Sequence, residues 1–299
     1  MTDPQSRSRS VALLSTRKVT LNDPATNALR NYCINFVRTC KYTVFTFVPM
    51  VIYIQFHRAA NIYFLIVAVF QCIPSISPVG YSRPTIMVPM TFVLFVTAVK
   101  EFIEDWSRRK QDKRVNQSMT RRLGPSGSFE PVLWKDIVVG DWVEVRKNEG
   151  FPADLVLFCT SEDEGLCYIE TANLDGETNF KTKQALPSLQ TCDTIEKLAK
   201  LAGSCECEAP NNRLYNFDGV YRPGNGDQLP LSNSQMLLRG CMLRNTRWAR
   251  GLVVNTGRDT KIMRNQVAGG IKRCSPPSDA ARIAYAAAVD CIVRATRDM

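Results

Sequence analysis

Residues 170–181 read "ETANLDGETNFK", and this stretch decides the reading of the whole chain. Asp175-Gly176 is a tight-turn pair, because Gly takes positive φ at no steric cost and Asp can bond its own backbone. A turn needs nothing more than that pair. Here Glu177 and Thr178 follow at once, which places a second carboxylate beside a glycine turn. The segments "FPADLVLFCT" and "LCYIETANL" upstream read as strands leading into this turn.

The same texture extends outward on both sides. From about Arg121 the chain breaks into short β-rich segments separated by turns. "PVLWKDIVVGDWVEVRK" alternates apolar and polar residues around Val-Gly-Asp and predicts a hairpin; "MLLRGCMLRNTRWARGLVVNTG" predicts more strand with Gly breaks. Asp193 to Ala202 predicts a helix with Ile195, Leu198, Ala199 and Ala202 on one face. Residues 107–266 therefore read as a mainly β domain with a few helices.

The preceding chain differs. Residues 1–58 read as a cytosolic segment whose first forty residues are basic and polar, extended or loosely attached. Two apolar runs follow, Asn61 to Ile73 and Thr85 to Val99. Each is shorter than the roughly 20 residues of a spanning helix. Their flanks point to a membrane nonetheless. Lys41 and Arg58 precede the first run, and Lys100, Arg108, Arg109, Lys110, Lys113 and Arg114 follow the second. The connector "PSISPVGYSR" carries only Arg83. That distribution is the positive-inside pattern of a two-helix membrane hairpin, residues 59–106, with both chain ends cytosolic. Residues 267–299 form an Ala-rich tail of different texture, with Ser278 as a helix N-cap.

The formal charge of +10 invites comparison with nucleic-acid binders. Its location excludes that class: residues 124–266 hold sixteen basic against nineteen acidic side chains, so the excess base flanks the apolar runs. Eleven cysteines with irregular spacing and one histidine, His57, give no metal-ligand pattern and read as reduced, cytosol-facing thiols. The polar start "MTDPQSRSRS" carries no secretory signal.

Seven ordered segments then carry a resemblance: "KYTVFTFVPMVIYIQFHRAAN", "IPSISPVG", "KEFIEDWSRRKQDKRVN", "PADLVLF", "CYIETANLDGETNFK", "LLRGCMLRNTRW" and "VVNTGRDTKIM". Over roughly residues 27–266 the chain resembles the N-terminal part of the phospholipid-transporting (flippase) branch of the P-type ATPases. The ion pumps of that family look instead like Thr-Gly-Glu-Ser at the turn. The resemblance implies a β-rich actuator domain of distorted jelly-roll type joined to the first two membrane helices. It implies that the loop meets an aspartyl phosphate formed from ATP on a separate domain. Glu177 would then be the base that positions water for attack, with Asp175, Gly176 and Thr178 shaping the loop and letting backbone approach the phosphate. Gln71 and Cys72 fall where flippases often carry Gln-Gln before Ile-Pro, a polar entry gate for the lipid headgroup. Gln71 matches that pattern and Cys72 departs from it, a thiol being a weaker hydrogen-bonding group than an amide.

The resemblance also implies ATP and Mg2+ for the complete family protein, a phospholipid substrate moved from the outer to the cytosolic leaflet, and an accessory β-subunit as partner. This chain by itself is expected to bind neither cofactor. The phosphorylation motif Asp-Lys-Thr-Gly-Thr occurs nowhere in the 299 residues, and "GRDTKIM" holds Asp259, Thr260 and Lys261 in another order. The change of texture at Val267 leads to the expectation of a flippase separated from its catalytic remainder by truncation, a shifted reading frame or an incomplete gene. The alternative is a non-enzymatic, membrane-anchored interaction module that keeps the actuator fold.

Overall fold

The computed structural model describes residues 16–43, 45–73, 87–190, 194–224 and 226–268. The connector from Pro74, the Ala-rich helix with Ser278 and the polar start of the chain lie outside the described residues. In chain order the elements begin with β1 (Thr16–Thr20), α1 (Pro24–Ala28), α2 (Phe47–Phe56), α3 (Ala59–Gln71) and α4 (Met87–Gln117). Next come β2 (Met119–Leu123), β3 (Phe129–Leu133), β4 (Trp142–Arg146), β5 (Asp154–Thr160), β6 (Leu166–Glu170), α5 (Ala172–Asp175), β7 (Phe180–Gln184) and α6 (Pro187–Gln190). The remainder is α7 (Ile195–Lys200), β8 (Gly203–Glu208), β9 (Gly219–Pro223), β10 (Leu229–Leu231), β11 (Met236–Leu237), β12 (Met242–Arg244), β13 (Trp248–Asn255) and α8 (Lys261–Ala268).

Three antiparallel sheets share one core. Their strand orders are β1-β8-β9-β10, β11-β5-β13-β4-β2-β3 and β12-β6-β7. Every residue of β5 is buried, as expected for a central strand covered on both faces and rich in β-branched and aromatic side chains. Trp142, Phe158 and Tyr221 join the sheets edge to face, with ring centroids 4.7 and 5.4 Å apart. Such pairs contribute beyond the apolar area they bury.

Three expectations from sequence need correction. The hairpin over residues 131–147 does not form: β3 and β4 are separated by β2, which pairs with both. Ile137 and Val139 in the connection are buried, so the apolar stretch read as strand is a core-facing link. The helix at 193–202 is shorter, because Asn22 donates its amide to the carbonyls of Leu198, Ala199 and Leu201 and ends it there. Leu198 is buried, whereas Ala199 and Ala202 are exposed. From Thr16 on, the early segment is not loosely attached. Strand β1 pairs along its whole length with β8, and Val19 and Leu21 enter the core.

The apolar runs form helices, with a geometry that spacing did not disclose. Among the described residues no single helix is long and apolar enough to cross a membrane; α2 and α3 together meet the length and composition but are bent by 88°. Arg58 is extended at the break, and Asn61 donates its side-chain amide to the Gln55 carbonyl at 2.8 Å, a second donor beside the Arg58 N–H at the interrupted helix end. The second run starts α4, which continues far past it to Gln117. Large apolar side chains on these helices face outward, Val88, Phe92 and Phe95 each by about two-thirds or more of their surface. Contiguous apolar exposure of this kind marks a surface that meets something other than water.

A strap between α1 and α2 ties these helices to the sheets. Asn116 both accepts from and donates to the backbone of Val37, Asp112 accepts from Thr39 and Cys40, and Asp105 accepts from Lys41. Positions 105, 112 and 116 share one helical face at heptad-like spacing. At the other end Asn35, fully buried, donates to the carbonyls of Trp134 and Pro152 and accepts from Arg239 and the Gly257 amide. Gly257 has φ +53°, and a Cβ there would stand 2.1 Å from the Ile34 carbonyl oxygen. Replacing Asn35 by Ala removes the partner of four groups, three of them in buried bonds, so Asn35→Ala is expected to cost about 2–4 kcal/mol. A urea midpoint shifted at constant slope would show it; a loss under about 1 kcal/mol would mean that the strap is not fixed at this point.

Candidate functional site

Strands β6 and β7 pair from Leu166↔Gln184 to Glu170↔Phe180, so residues 171–179 form the tip of a hairpin. Leu174 packs partly buried against the core, and Asn173 donates to the Gly240 carbonyl at 3.2 Å. Arg244 on the neighbouring β12 binds Glu170 at 2.7 Å, closing the base of the hairpin. The tip therefore sits on a fixed stem.

Within the tip, α5 is a single helical turn that ends at Gly176, with φ 77° and ψ 0°. This left-handed C-terminal position is one that a side chain rarely tolerates. Nothing lies within 4 Å of where its Cβ would stand, so within this chain the glycine answers to backbone angle rather than to crowding. Among the described residues the space beside it is open.

Asp175 turns back into the loop. Its carboxylate accepts from the Thr171 hydroxyl at 2.9 Å, the Glu177 amide at 3.0 Å, the Lys181 ammonium at 2.5 Å and the Tyr215 hydroxyl at 3.3 Å. The Lys181 hydrogen bond, with the backbone donation from Glu177 and the Thr171 hydroxyl, holds the Asp175 carboxyl well below the usual carboxylate range. Asp175, then Glu177, push the Lys181 ammonium well above its ordinary range in turn. Lys181 also reaches Glu177 at 3.0 Å and lies 5.5 Å from the centroid of the Tyr215 ring.

Glu177 behaves in the opposite way. Its side chain is 58 % exposed, at the outermost part of the loop, with Thr178 exposed beside it. Of the four loop residues predicted from sequence, one carboxylate points in and fastens the loop, and the other points out. Gln71 and Cys72 belong to a different element. Gln71 is the last residue of α3, and Cys72 caps it, exposed, with its amide donated to the Val69 carbonyl at 3.1 Å. Thr171, Lys181 and Tyr215 were not singled out from sequence. Thr171 lies four residues before Asp175 and Lys181 four after Glu177, a helical-pair spacing that could have flagged both. Tyr215 arrives from a loop 40 residues away and left no local signal.

Among the described residues no three His, Cys, Asp or Glu side chains converge as a metal site. Burial pushes the thiols of Cys167 and Cys241 up to about 12, which leaves them unreactive at neutral pH.

A depressed carboxyl contributes order that is fully present above its unfolded value, ordinarily about 4, and lost only as pH falls through the lower folded value. The amides of Gly176 and Glu177, bonded to the Ala172 carbonyl and the Asp175 carboxylate, should therefore stay protected from hydrogen exchange at pH 5 and lose protection only in stronger acid. In Asp175→Asn they should exchange fast at both pH values. Equal protection in the variant and the parent would remove Asp175 from the centre of the loop.

Comparison of the sequence with known proteins matches it to two families. Residues 19–83 match the family described as phospholipid-translocating ATPase N-terminal, and residues 114–266 match the P-type ATPase actuator domain. A phospholipid-transporting ATPase of Schizosaccharomyces pombe is 48 % identical over 263 residues, covering 88 % of this chain and 20 % of that protein. Phospholipid-transporting ATPase ID of Homo sapiens is 44 % identical over 260 residues, 87 % of this chain and 21 % of its own length. Phospholipid-transporting ATPase IC of Mus musculus is 46 % identical over 243 residues, 81 % and 19 % respectively. The chain thus spans about a fifth of the length of these curated relatives.

Proposed function

The chain belongs to the phospholipid-transporting branch of the P-type ATPases, and from that premise we propose that residues 107–266 act as an actuator whose loop hydrolyses an aspartyl phosphate during lipid translocation. The observation that carries this reading is the split between the two carboxylates. Asp175 takes four donors and fixes the loop, while Glu177 stands exposed at the tip.

Glu177 would hold a water in line with the phosphorus. The water oxygen forms the new bond to phosphorus, its proton passes to Glu177, and the bond from phosphorus to the aspartyl oxygen breaks to leave a free carboxylate. Gly176 and Thr178 present backbone and hydroxyl at the exposed face. Lys181, already paired with Glu177, adds positive charge near the incoming phosphate. The phosphorylated aspartate would belong to a domain other than this one. ATP with Mg2+ would supply the phosphoryl group there, and no step of nucleotide binding follows from the described residues.

The lipid side of the proposal rests on α2, α3 and the first half of α4 as membrane segments, supported by their outward apolar side chains and flanking base. Gln71 and Cys72 would line the headgroup path, with movement from the outer to the cytosolic leaflet and an accessory subunit as partner.

A chimera tests the chemistry. Residues 19–266 would replace the corresponding part of the S. pombe relative, and decay of the phosphoenzyme would be followed after a chase. Glu177→Gln is expected to slow decay by roughly 100- to 10,000-fold, the range of a positioned general base, with phosphoenzyme accumulating. Unchanged decay in that variant would contradict the assignment.

A further inference from the structure

An open cleft of about 450 Å3 lies away from the hairpin tip, where β1, the chain after α1, the end of β8 and the start of α8 meet. Its walls carry Arg17, Lys18, Arg30 and Arg264 against one carboxylate, Asp259. Arg17 is more than nine-tenths buried. Its Nη1 donates to Asn255 at 3.2 Å and to Asp259 at 3.1 Å, yet its Nε and Nη2, both closed off from solvent, have no hydrogen-bond partner among the described residues. The Tyr32 ring lies 4.2 Å from the guanidinium and supports it through its π face without supplying an acceptor. Asp259 must also serve Arg264, at 3.0 Å, so one carboxylate is shared by two guanidinium groups. Lys18 meets Glu206 only at 3.6 Å, with its side chain about half exposed.

A buried guanidinium with two unpaired nitrogens is costly unless something completes its charge balance. The geometry points to a binding site for a phosphomonoester anion in this cleft. Planar guanidinium forks match phosphate oxygens, and a dianion answers a wall with three guanidinium groups and one acid, Lys18 being already matched by Glu206. The volume falls within the range of about 300–1,000 Å3 that small organic ligands occupy, so the phosphate would be carried on a headgroup-sized molecule. That chemistry is shared by a phospholipid with a terminal phosphate and by a soluble phosphomonoester. Because the walls come from four separate stretches of chain, a bound anion would bridge the chain after α1 to the start of α8. The site is independent of the hairpin tip and of the reading given to Glu177.

Titration of the full chain with glycerol 3-phosphate and with dihexanoyl phosphatidic acid, at constant ionic strength, tests the proposal by calorimetry. Saturable binding of at least one is expected, weakened roughly tenfold or more in Arg30→Gln/Arg264→Gln, since each lost charge-assisted contact is worth about that factor. The control Lys135→Gln removes an exposed cation outside the cleft and should leave binding unchanged. Equal binding of both probes would identify the phosphomonoester itself as sufficient; binding of the acylated probe alone would identify a lipid. If the double variant lacks a cooperative melt, Arg264→Gln alone replaces it, since that side chain is nearly half exposed. Absence of saturable binding by either probe, or an equal loss in Lys135→Gln, would overturn the proposal.

Discussion

The inward turn of one carboxylate is the constraint on which the candidate site depends. Asp175 gathers a hydroxyl, a backbone amide, an ammonium and a phenol into one cluster. These donors come from both strands of the hairpin tip and from a distant loop. With Asp175 so engaged, the chain must leave the helical turn through a left-handed residue, and Gly176 accepts that angle. The next side chain, Glu177, is thereby delivered to the surface. Two acidic residues two positions apart thus receive different environments, one held by four donors and one more than half exposed.

The second constraint is mechanical. A β domain attached to apolar helices through a slack linker could not transmit motion between them. Here the strap from Cys33 to Tyr42 bonds to α4 through Asp105, Asp112 and Asn116, and to the sheets through Asn35 and Gly257. Buried Lys261 adds to this by donating to Glu208, Asn211 and the carbonyls of Arg213 and Asn216. The loop it fastens carries Tyr215, which touches Asp175, so hydrogen bonds run from the start of α8 to the hairpin tip.

Much of this was legible in the sequence, and the unread parts share a cause. The strands β5, β6 and β13 follow from apolar runs bounded by turn residues, and the loop follows from Asp-Gly with a second acid. Local signals sufficed for these. What escaped was set by partners far along the chain: β1 is a strand because β8 accepts it, and Val19 and Leu21 were too few to announce a core. The separation of β3 from β4 depends on β2, and the bend between α2 and α3 depends on one extended residue, Arg58. At the site, Tyr215 is invisible because its only claim is a contact across 40 residues.

The division of labour between the two loop carboxylates is the centre of the account, and phosphoenzyme decay in the two single variants reads it most directly. In the chimeric transporter, Glu177→Gln should slow decay by the roughly 100- to 10,000-fold of a lost general base, and Asp175→Asn by less, because it loosens the loop and keeps the base. A larger loss in Asp175→Asn than in Glu177→Gln would contradict the account.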